Sequence, residues 1–436
     1  MRLKQLFAGI LISSFLLSTG SGCSKKTKSR SNIATIDQAG NGNAIYELAS
    51  VKNGKTEASK EELKEAYSEF VFEMIHRCAE NAGDSNFMVS TDSMLFALEM
   101  TAAGADGETL DQMLGTLMPG VNKEDAFVFA SDRMDQIESS QLKIGNSIWI
   151  NSDFESTVYS NYLKYVEKNF GAQINGIPFN GSGVDQINSW VKDNTNDMIP
   201  QMVDRLDPTE VMMLINAIAF DAKWDEKFLG GDIKEDYFCH YSSDSFEIED
   251  MQKVTMLWGE DDVTYLSNYE AKGFYKLYKG KKYAFVTILP DNRSADINEF
   301  VANMTAQDYW SFWNSSNDEG IKYCFPKFTS EYEVSLNEIL KEMGMPDAFE
   351  EDKANFGNMS NLKTLYISKV IQKTKIEVDA VGTKASAATR VSVEHNDAGG
   401  SGVAKRSVCC DRPFAYAIVD VETGLPIFFG TVDHVE

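Results

Sequence analysis

The segment Lys375–Glu394 constrains the fold of this chain most, because its second half alternates like a β-strand but consists largely of small side chains. One face of the alternation carries Thr383, Ala385, Ala387, Thr389, Val391 and Val393. The other face carries Lys384, Ser386, Ala388, Arg390, Ser392 and Glu394. A strand that builds a core usually has Ile, Val or aromatic residues where this one has Ala and Ser. The pattern therefore favours a strand that enters a gap in an existing sheet.

The length of this segment and the residues after it support the same interpretation. Twelve extended residues span about 40 Å, which is enough to cross most of a sheet. The chain then continues into His395–Gly402, a polar, glycine-rich stretch typical of an exposed and cleavable loop. Taken alone, the segment also fits an ordinary surface strand followed by a loop.

Composition narrows the class of protein. A chain of 436 residues with 43% hydrophobic residues can bury a large core, either as one large domain or as two smaller ones. Its formal net charge of -25 argues against a nucleic-acid partner, because phosphate binding needs clustered Lys and Arg. No block repeats and no later low-complexity linker divides the chain, so we expect one domain over 61–436.

The N-terminus predicts export. Arg2 and Lys4 precede an apolar run, Leu6–Leu17, that is too short for a permanent membrane-spanning helix. Small residues before Cys23 resemble a bacterial lipoprotein signal, although Gly20 stands where Leu is usual. We therefore predict a signal over 1–23 that ends in a lipid-modified Cys23, with plain cleavage nearby as the alternative. The polar residues 24–60 are predicted to form a linker that lifts the domain off a membrane.

The other cysteines, at positions 78, 239, 324, 409 and 410, are odd in number and show no CxxC spacing. Neither a disulfide framework nor a structural metal is therefore predicted. The neighbours Cys409 and Cys410 could form a redox site, but two part-buried strand residues are the simpler interpretation. No cofactor is expected.

Periodicity places helices early in the chain and strands late, which indicates an α+β fold with large, mostly antiparallel sheets. The predicted helices include residues 61–75, 159–170, 184–194 and 336–343, and two more that begin at Ser90 or Thr91 and at Thr109. The predicted strands are 86–90, 142–150, 210–220, 283–289, 321–328, 414–421 and 427–432. Residues 210–220 are almost continuously apolar, as expected for a strand covered on both faces.

These elements carry motifs in an order that resembles the serpin family over essentially all of residues 61–436. The motifs are Asn86–Ser93 (NFMVSTDS), Gly104–Thr109, Leu142–Asn146, Ile187–Val191, Asn216–Trp224, Pro326–Phe328, Gly382–Thr389, Pro413–Phe414 and Phe428–Gly430. In the first of them, Thr91 stands where the family usually has Pro. The resemblance implies N-terminal helices packed on large sheets, with an exposed reactive-centre loop over about 382–410.

The resemblance also implies a suicide inhibitor of serine or cysteine proteases. The protease is acylated by the loop, and the freed strand then inserts into the central sheet. The implied hinge consists of Gly382, Thr383, Ala385, Ser386, Ala387 and Ala388. The implied sheet-opening region consists of Ser90, Ser93, Asn216, Trp224 and Gln372, the last of which replaces a usual His. Ala380 replaces a usual Glu before the hinge.

The family's usual spacing of about fourteen residues past Gly382 places the attacked bond between Asn396 and Asp397. The long loop leaves Arg390, Val393, Lys405 and Arg406 as alternatives. Val393 would suit elastase-like proteases, and the basic residues would suit trypsin-like ones.

Two other classes of protein compete with the inhibitor interpretation. An enzyme is disfavoured, because the sequence has no HExxH, GxSxG or phosphate-binding glycine loop, and Cys239–His240 are only neighbours in sequence. A non-inhibitory serpin that acts as a carrier or a surface-binding lipoprotein is the closer rival. Such members usually carry charged, bulky or Pro residues in the hinge. We therefore expect a monomer that forms a covalent complex with a serine protease and is anchored at the cell envelope or surface through Cys23, or is otherwise secreted.

Overall fold

The computed structural model describes residues 8–17, 54–194, 201–241, 247–317, 320–383 and 406–435. No helix in these ranges is long and apolar enough to cross a bilayer. The helices of the described chain are α1 (Lys60–Ala82), α2 (Thr91–Ala102), α3 (Gly107–Leu117), α4 (Lys123–Ile137), α5 (Ser160–Phe170), α6 (Gly181–Asn194), α7 (Ile297–Asn303), α8 (Ala306–Asn314) and α9 (Asn337–Glu342).

Side-chain caps fix where the early helices begin. Ser59 and Glu62 form a capping box at the start of α1. Ser90 caps α2 by accepting from the backbone N–H of Ser93, as the sequence predicted. The prediction that Thr109 caps the next helix is wrong, because α3 already begins at Gly107 after Asp106. The hydroxyl of Thr109 instead accepts from the backbone N–H of Asn355 at 2.9 Å.

Eighteen strands lie within the described ranges, in three sheets. They are β1 (Ala8–Leu17), β2 (Met88–Val89), β3 (Leu142–Asn151), β4 (Gln173–Ile177), β5 (Met212–Phe220), β6 (Ala222–Lys223), β7 (Ile233–Tyr241), β8 (Ile248–Glu260), β9 (Thr264–Ser267), β10 (Ala271–Leu277), β11 (Tyr283–Pro290), β12 (Lys322–Pro326), β13 (Phe328–Ser335), β14 (Leu365–Val378), β15 (Gly382–Thr383), β16 (Ser407–Cys409), β17 (Phe414–Asp420) and β18 (Pro426–Val432).

The largest sheet has the strand order β4-β3-β5-β1-β14-β15-β6, and β13 pairs with β14. β5 is buried along its whole length, which confirms the prediction of a strand covered on both faces. One of its faces packs into the main core, and the other packs against α6 through residues such as Ile187 and Val191. The other two sheets follow the orders β2-β18-β17-β11-β10-β9 and β16-β12-β8-β7. Helices packed on large, mostly antiparallel sheets confirm the predicted α+β class.

The first strand, β1, lies in the middle of the largest sheet. It runs parallel to both of its neighbours, β5 and β14. In this arrangement Ser14 faces both Asn216 on β5 and Gln372 on β14. Part of the segment predicted to be an export signal therefore forms a central strand of the full chain.

A buried ion cluster holds α2 against the end of β17. The Arg133 guanidinium donates to both carboxylate oxygens of Asp92 at 2.9 Å, and its third nitrogen donates to Asp420 at 3.1 Å. Tyr67 donates its hydroxyl to the same Asp92 carboxylate at 2.9 Å. Removing one partner of such a buried cluster typically costs about 3–5 kcal/mol, because the remaining charge is left uncompensated. The cluster thus fixes the position of α2, whose first turn carries Ser93.

Glu99 on α2 is a buried acid whose carboxylate oxygens have no hydrogen-bond partner within the described ranges. Burial raises the pKa of Glu99 to about 8. Because the folded state holds this proton more tightly, the stability that the proton provides is complete at low pH. It is lost as the pH rises towards 8, at about 1.4 kcal/mol per pH unit.

We expect Glu99→Gln to have a higher free energy of unfolding than the parent at pH 8. This advantage should be about 4 kcal/mol larger at pH 8 than at pH 5. The neutral amide fills the same space and has no charged form to bury. Unfolding followed by circular dichroism at both pH values measures the difference. Glu69→Gln is the matched control, since Glu69 is exposed on α1. An equal advantage of Glu99→Gln at both pH values would contradict an uncharged Glu99 in the folded state.

The structure corrects the prediction that the cysteines form no disulfide. Cys324 on β12 and Cys409 on β16 are direct cross-strand partners, with Cα atoms 4.5 Å apart, and they form a disulfide. Their separation of 85 residues hides this contact in the sequence. Cys410 is buried and free, and burial raises the pKa of its thiol to about 12, so it is not a redox partner.

Candidate functional site

The start of the predicted hinge already belongs to the largest sheet. Gly382 and Thr383 form β15, in which Thr383 faces Val378 of β14 on one side and Ala222 of β6 on the other. Both pairings are antiparallel. The remaining hinge residues, Ala385, Ser386, Ala387 and Ala388, lie outside the described residues.

Close backbone contact explains the glycine at position 382. A Cβ atom at Gly382 would lie 2.2 Å from the carbonyl oxygen of Ala222 and 2.7 Å from the Cα atom of Lys223. Both of these are backbone atoms in a paired strand, so neither can move aside cheaply. Only glycine therefore lets the chain enter the sheet at this point.

Trp224 and Tyr278 form an aromatic wall beside the entry point. Their rings stack with centroids 4.6 Å apart and an interplanar angle of 11°. The Trp224 indole Nε1–H donates to the carbonyl of Asp379 at 2.8 Å, and the Tyr278 hydroxyl hydrogen-bonds the hydroxyl of Thr383. Thr383 is completely buried. Trp224 thus lies next to Gly382 and Thr383, the first residues of the predicted hinge.

The turn before the hinge is held without the glutamate that the family usually has. The Asp379 carboxylate accepts from the backbone N–H of Val381 at 2.7 Å and of Gly382 at 3.1 Å. The carbonyl of Ala380 accepts from the N–H of Phe228 at 3.2 Å. Asp379 and backbone contacts therefore fix the base of the loop, so Ala380 needs no side-chain partner there.

A second group of polar residues lies farther down the same strands. The Gln372 side chain forms a reciprocal pair with the backbone of Ser90, accepting from its N–H at 3.1 Å and donating to its carbonyl at 2.9 Å. The Ser90 hydroxyl donates to the carbonyl of Ile427 at 3.1 Å. An amide side chain can both donate and accept, so Gln372 links β14 to the start of α2.

The matching contact on the other strand runs through Asn216. The Ser93 hydroxyl donates to Asn216 Oδ1 at 2.5 Å, and Asn216 Nδ2 donates to Asn146 Oδ1 at 2.7 Å. Asn146 Nδ2 in turn donates to the carbonyl of Phe170 at 2.7 Å. The four predicted residues Ser90, Ser93, Asn216 and Gln372 are all completely buried and lie on the two strands and the helix around the β1 position.

Three residues of this site were missed from the sequence: Asn146, Tyr278 and Asp379. Asn146 lies within the motif Leu142–Asn146, but its contact with Asn216 joins residues that are 70 positions apart in the sequence. Asp379 precedes the hinge directly, and an Asp three residues before a Gly is a recognisable turn pattern. Tyr278 had no sequence pattern that would single it out.

A family model described as "Serpin (serine protease inhibitor)" matches residues 65–435. The chain belongs to the serpin family. Two solved structures of a thermophilic serpin, tengpin, are similar to it. The native-state structure is 34% identical with a TM-score of 0.74, covering 92% of this chain and 100% of tengpin. The latent-state structure is 32% identical with a TM-score of 0.73, covering 88% and 100%. Human neuroserpin is 25% identical over 390 residues, which are 86% of this chain and 92% of neuroserpin.

Serpins are mostly protease inhibitors rather than enzymes. Cys239 and His240 are consecutive residues of β7, so their side chains point to opposite faces. Burial is the main cause that raises the pKa of Cys239, which makes it a poor nucleophile.

The loop of this serpin returns to the fold at β16. The backbone N–H of Lys322 donates to the carbonyl of Arg406 at 3.0 Å, and the exposed Arg406 side chain lies 5.4 Å from the ring of Tyr265. The predicted bond, Asn396–Asp397, lies outside the described residues, as do the alternatives Arg390, Val393 and Lys405 and the predicted lipidation site, Cys23.

Proposed function

We propose that this serpin inhibits a serine protease as a suicide substrate, with its cleaved loop inserting between β5 and β14. The observation that carries the proposal is the register of β15. Because Thr383 faces Val378 in an antiparallel pair, every residue after Thr383 would face the residue one position earlier on β14.

Continuing this register brings the small-residue face of the loop to the buried side of the sheet. Ala385 would face Ile376, and Ala387 would face Thr374. Ile376 and Thr374 are both buried, like Val378. Directly opposed residues of neighbouring strands point to the same face, so Thr383, Ala385 and Ala387 would all enter the core. The face that the sequence alone marked as fit for burial is the one that this register supports.

The length of the loop fits the same register. Continuing the pairing to Leu365, the first residue of β14, places Asn396 opposite it. The inserted strand would then run from Thr383 to Asn396, about 46 Å at 3.3 Å per residue. A protease attached at Asn396 would be carried from one end of the sheet to the other. This supports Asn396–Asp397 as the attacked bond.

The inserted strand and β1 would occupy the same position between β5 and β14. In the continued register Thr389 would face both Gln372 and Asn216, which are the two residues that face Ser14 of β1. Only one strand can pair with β5 and β14 at this position. Removal of the N-terminal segment during export would leave the place free for the loop, so the predicted cleavage before Cys23 has a structural purpose.

The protease carries out the bond-breaking steps before the loop begins to insert. Its nucleophile attacks the carbonyl carbon of Asn396, the bond to the nitrogen of Asp397 breaks, and the new amine takes up a proton. The acyl bond then joins the protease to Asn396, and water would normally hydrolyse it. Insertion that moves the protease before this step traps the covalent complex.

A panel of serine and cysteine proteases tests the proposal. We expect one or more serine proteases to give a complex that survives denaturing electrophoresis, and mass spectrometry of the released C-terminal peptide to show that it begins at Asp397. A peptide that begins after Arg390, Val393, Lys405 or Arg406 would move the attacked bond but keep the mechanism. Degradation of the loop by every protease, with no stable complex, would favour the non-inhibitory carrier instead.

We also propose that the protein is exported and held at a membrane through lipid on Cys23. The serpins that resemble it are mostly secreted or extracellular, and the disulfide Cys324–Cys409 fits an oxidising compartment. The expected result is that Cys23→Ser moves most of the protein from the membrane fraction to the soluble fraction. Fractionation followed by immunoblotting measures this, with Cys78→Ser as the control. An unchanged distribution for Cys23→Ser would contradict the anchor.

A further inference from the structure

A histidine–carboxylate cluster lies at the opposite edge of the molecule's smallest sheet from β16. It consists of His240, near the end of β7, and Asp433 and His434, which follow β18. His240 Nε2 lies 3.6 Å from one Asp433 oxygen, and His434 Nδ1 lies 2.6 Å from the other. One nitrogen or oxygen atom from each residue lies within 4.8 Å of the other two.

The hydrogen bonds of the described chain leave His240 unexplained. Both of its ring nitrogens are shielded from solvent and have no hydrogen-bond partner within the described ranges. Its distance of 3.6 Å to Asp433 is too long for a hydrogen bond. Buried polar atoms are nearly always hydrogen-bonded, whereas the His240 nitrogens have only this long contact with Asp433, so the ring can still bind a further ligand.

The residues that carry the cluster are held in place by other contacts. Asn86 Oδ1 accepts from the backbone N–H groups of Asp433 and His434, and Asn86 Nδ2 donates to the carbonyl of His434 at 2.7 Å. Gln252 accepts from the backbone N–H of Val435 at 3.1 Å and also donates to its carbonyl. The C-terminal residues are therefore positioned before any ligand binds.

We propose that His240, Asp433 and His434 form a binding site for a divalent transition-metal ion, most suitably zinc. Zinc binds histidine nitrogen and carboxylate oxygen at about 2.0–2.2 Å, so tetrahedral ligand atoms are about 3.3 Å apart. The observed separations of 3.6 Å and 2.6 Å are to the two different Asp433 oxygens, so binding one ion requires both histidine rings to turn towards it. Two imidazoles favour zinc over calcium or magnesium, which prefer oxygen ligands. Water would complete the coordination.

The surroundings of the cluster favour a cation. Asp250 on β8 directly faces His240, and its carboxylate adds negative charge beside the ring. The rings of His240 and His434 already stack, with centroids 4.5 Å apart and an angle of 29°. Each ring has a nitrogen beside the Asp433 carboxylate, and rotation of the two histidine side chains would turn both nitrogens towards one ion.

A metal ion here would join two sheets near the end of the reactive loop. His240 belongs to the sheet that contains β16, whereas Asp433 and His434 extend from β18 of another sheet. The neighbouring Cys239 donates its backbone N–H to the carbonyl of Asp411 at 2.8 Å, just after β16. The proposed ion would thus stiffen the region to which the loop returns. This role does not depend on the protease mechanism.

Isothermal titration with zinc chloride tests the site on the full chain, after treatment with a chelator and removal of any histidine tag. We expect a single zinc ion per chain, and a visible absorption band from tetrahedral cobalt when cobalt chloride replaces zinc. His240→Gln and His434→Gln should each weaken zinc binding by at least about tenfold. Glu249→Gln is the matched control, because it removes an exposed charge from β8 beside Asp250 without touching the cluster.

The outcomes separate clearly. Binding that is lost in both histidine variants and kept in Glu249→Gln supports the site. Absence of binding, or equal binding by His240→Gln and the parent, overturns it. His434 is largely exposed, with 54% of its side chain accessible, so His434→Gln keeps the test valid even if His240→Gln folds poorly.

Discussion

Ala387→Arg is expected to turn the inhibitor into an ordinary substrate of its target protease. In the continued register of β15, position 387 faces Thr374, which is 1% exposed. Insertion would therefore bury an arginine with no partner, at a cost of about 3 kcal/mol or more. This slows insertion by at least about a hundredfold, since each 1.36 kcal/mol is a factor of ten in rate. Hydrolysis of the acyl bond would then be completed first.

Ala388→Arg is the matched control, because it makes the same change one residue later on the opposite face. Position 388 would face Lys373, whose side chain is 25% exposed and pairs with Glu333 at 2.8 Å. The natural sequence already places Lys384 and Arg390 on this face. Denaturing electrophoresis and the number of inhibitor molecules consumed per protease molecule measure both variants. Equal trapping by Ala387→Arg and Ala388→Arg would rule out insertion in this register.

Cleavage of the loop is expected to raise the melting temperature by roughly 20 °C, which for a domain of this length corresponds to about 15 kcal/mol of added stability. The inserted strand would fill the position between β5 and β14 and satisfy the backbone groups of both neighbours. Scanning calorimetry of intact and cleaved protein that begins at residue 24 measures the change. This form lacks β1, so the position is free for the loop.

Two further samples make the calorimetry decisive. Cleaved Ala387→Arg should show a much smaller rise, because its loop cannot enter fully. Cleaved full-length chain should also show a smaller rise, because β1 already pairs with β5 and β14. If the cleaved chain that begins at residue 24 melts no later than the intact chain, the loop does not insert and the inhibitor assignment fails.

Local patterns in the sequence predicted much of the fold. The apolar run of β5, the cap at Ser90 and the hinge at Gly382 each depend on neighbours within a few residues, so they can be found without a structure. Strands β7 and β8 at the edge of the smallest sheet were missed, because their apolar residues do not alternate regularly with polar ones. Strand β14 was missed because the polar residues Gln372 and Thr374 occupy two of its buried positions and interrupt the apolar alternation.

The contacts that assemble the site were harder to predict. The sheet-opening residues were identified through family motifs, because contacts such as that of Ser93 with Asn216 join residues 123 positions apart. The disulfide and the His240 cluster depend on strand pairing and on the path of the C-terminus. The parallel pairing of Ala8–Leu17 could not be predicted, because its apolar run is equally typical of an export signal.

Once β1 has been removed, we expect the disulfide Cys324–Cys409 to limit insertion of the uncut loop. Phe325, next to Cys324, has its ring 6.1 Å from that of Trp224, so this anchor lies near the entry point of the loop. In the proposed inserted strand Asn396 would lie about 46 Å from Thr383, whereas the ten residues from Asp397 to Arg406 could span at most about 35 Å. An unbroken loop fastened at both ends is therefore too short to bury itself. Under oxidising conditions we therefore expect the uncut loop to stay outside the sheet until a protease cleaves it. Reduction of the disulfide would allow β16 to detach, and the uncut loop could then insert slowly and inactivate the protein.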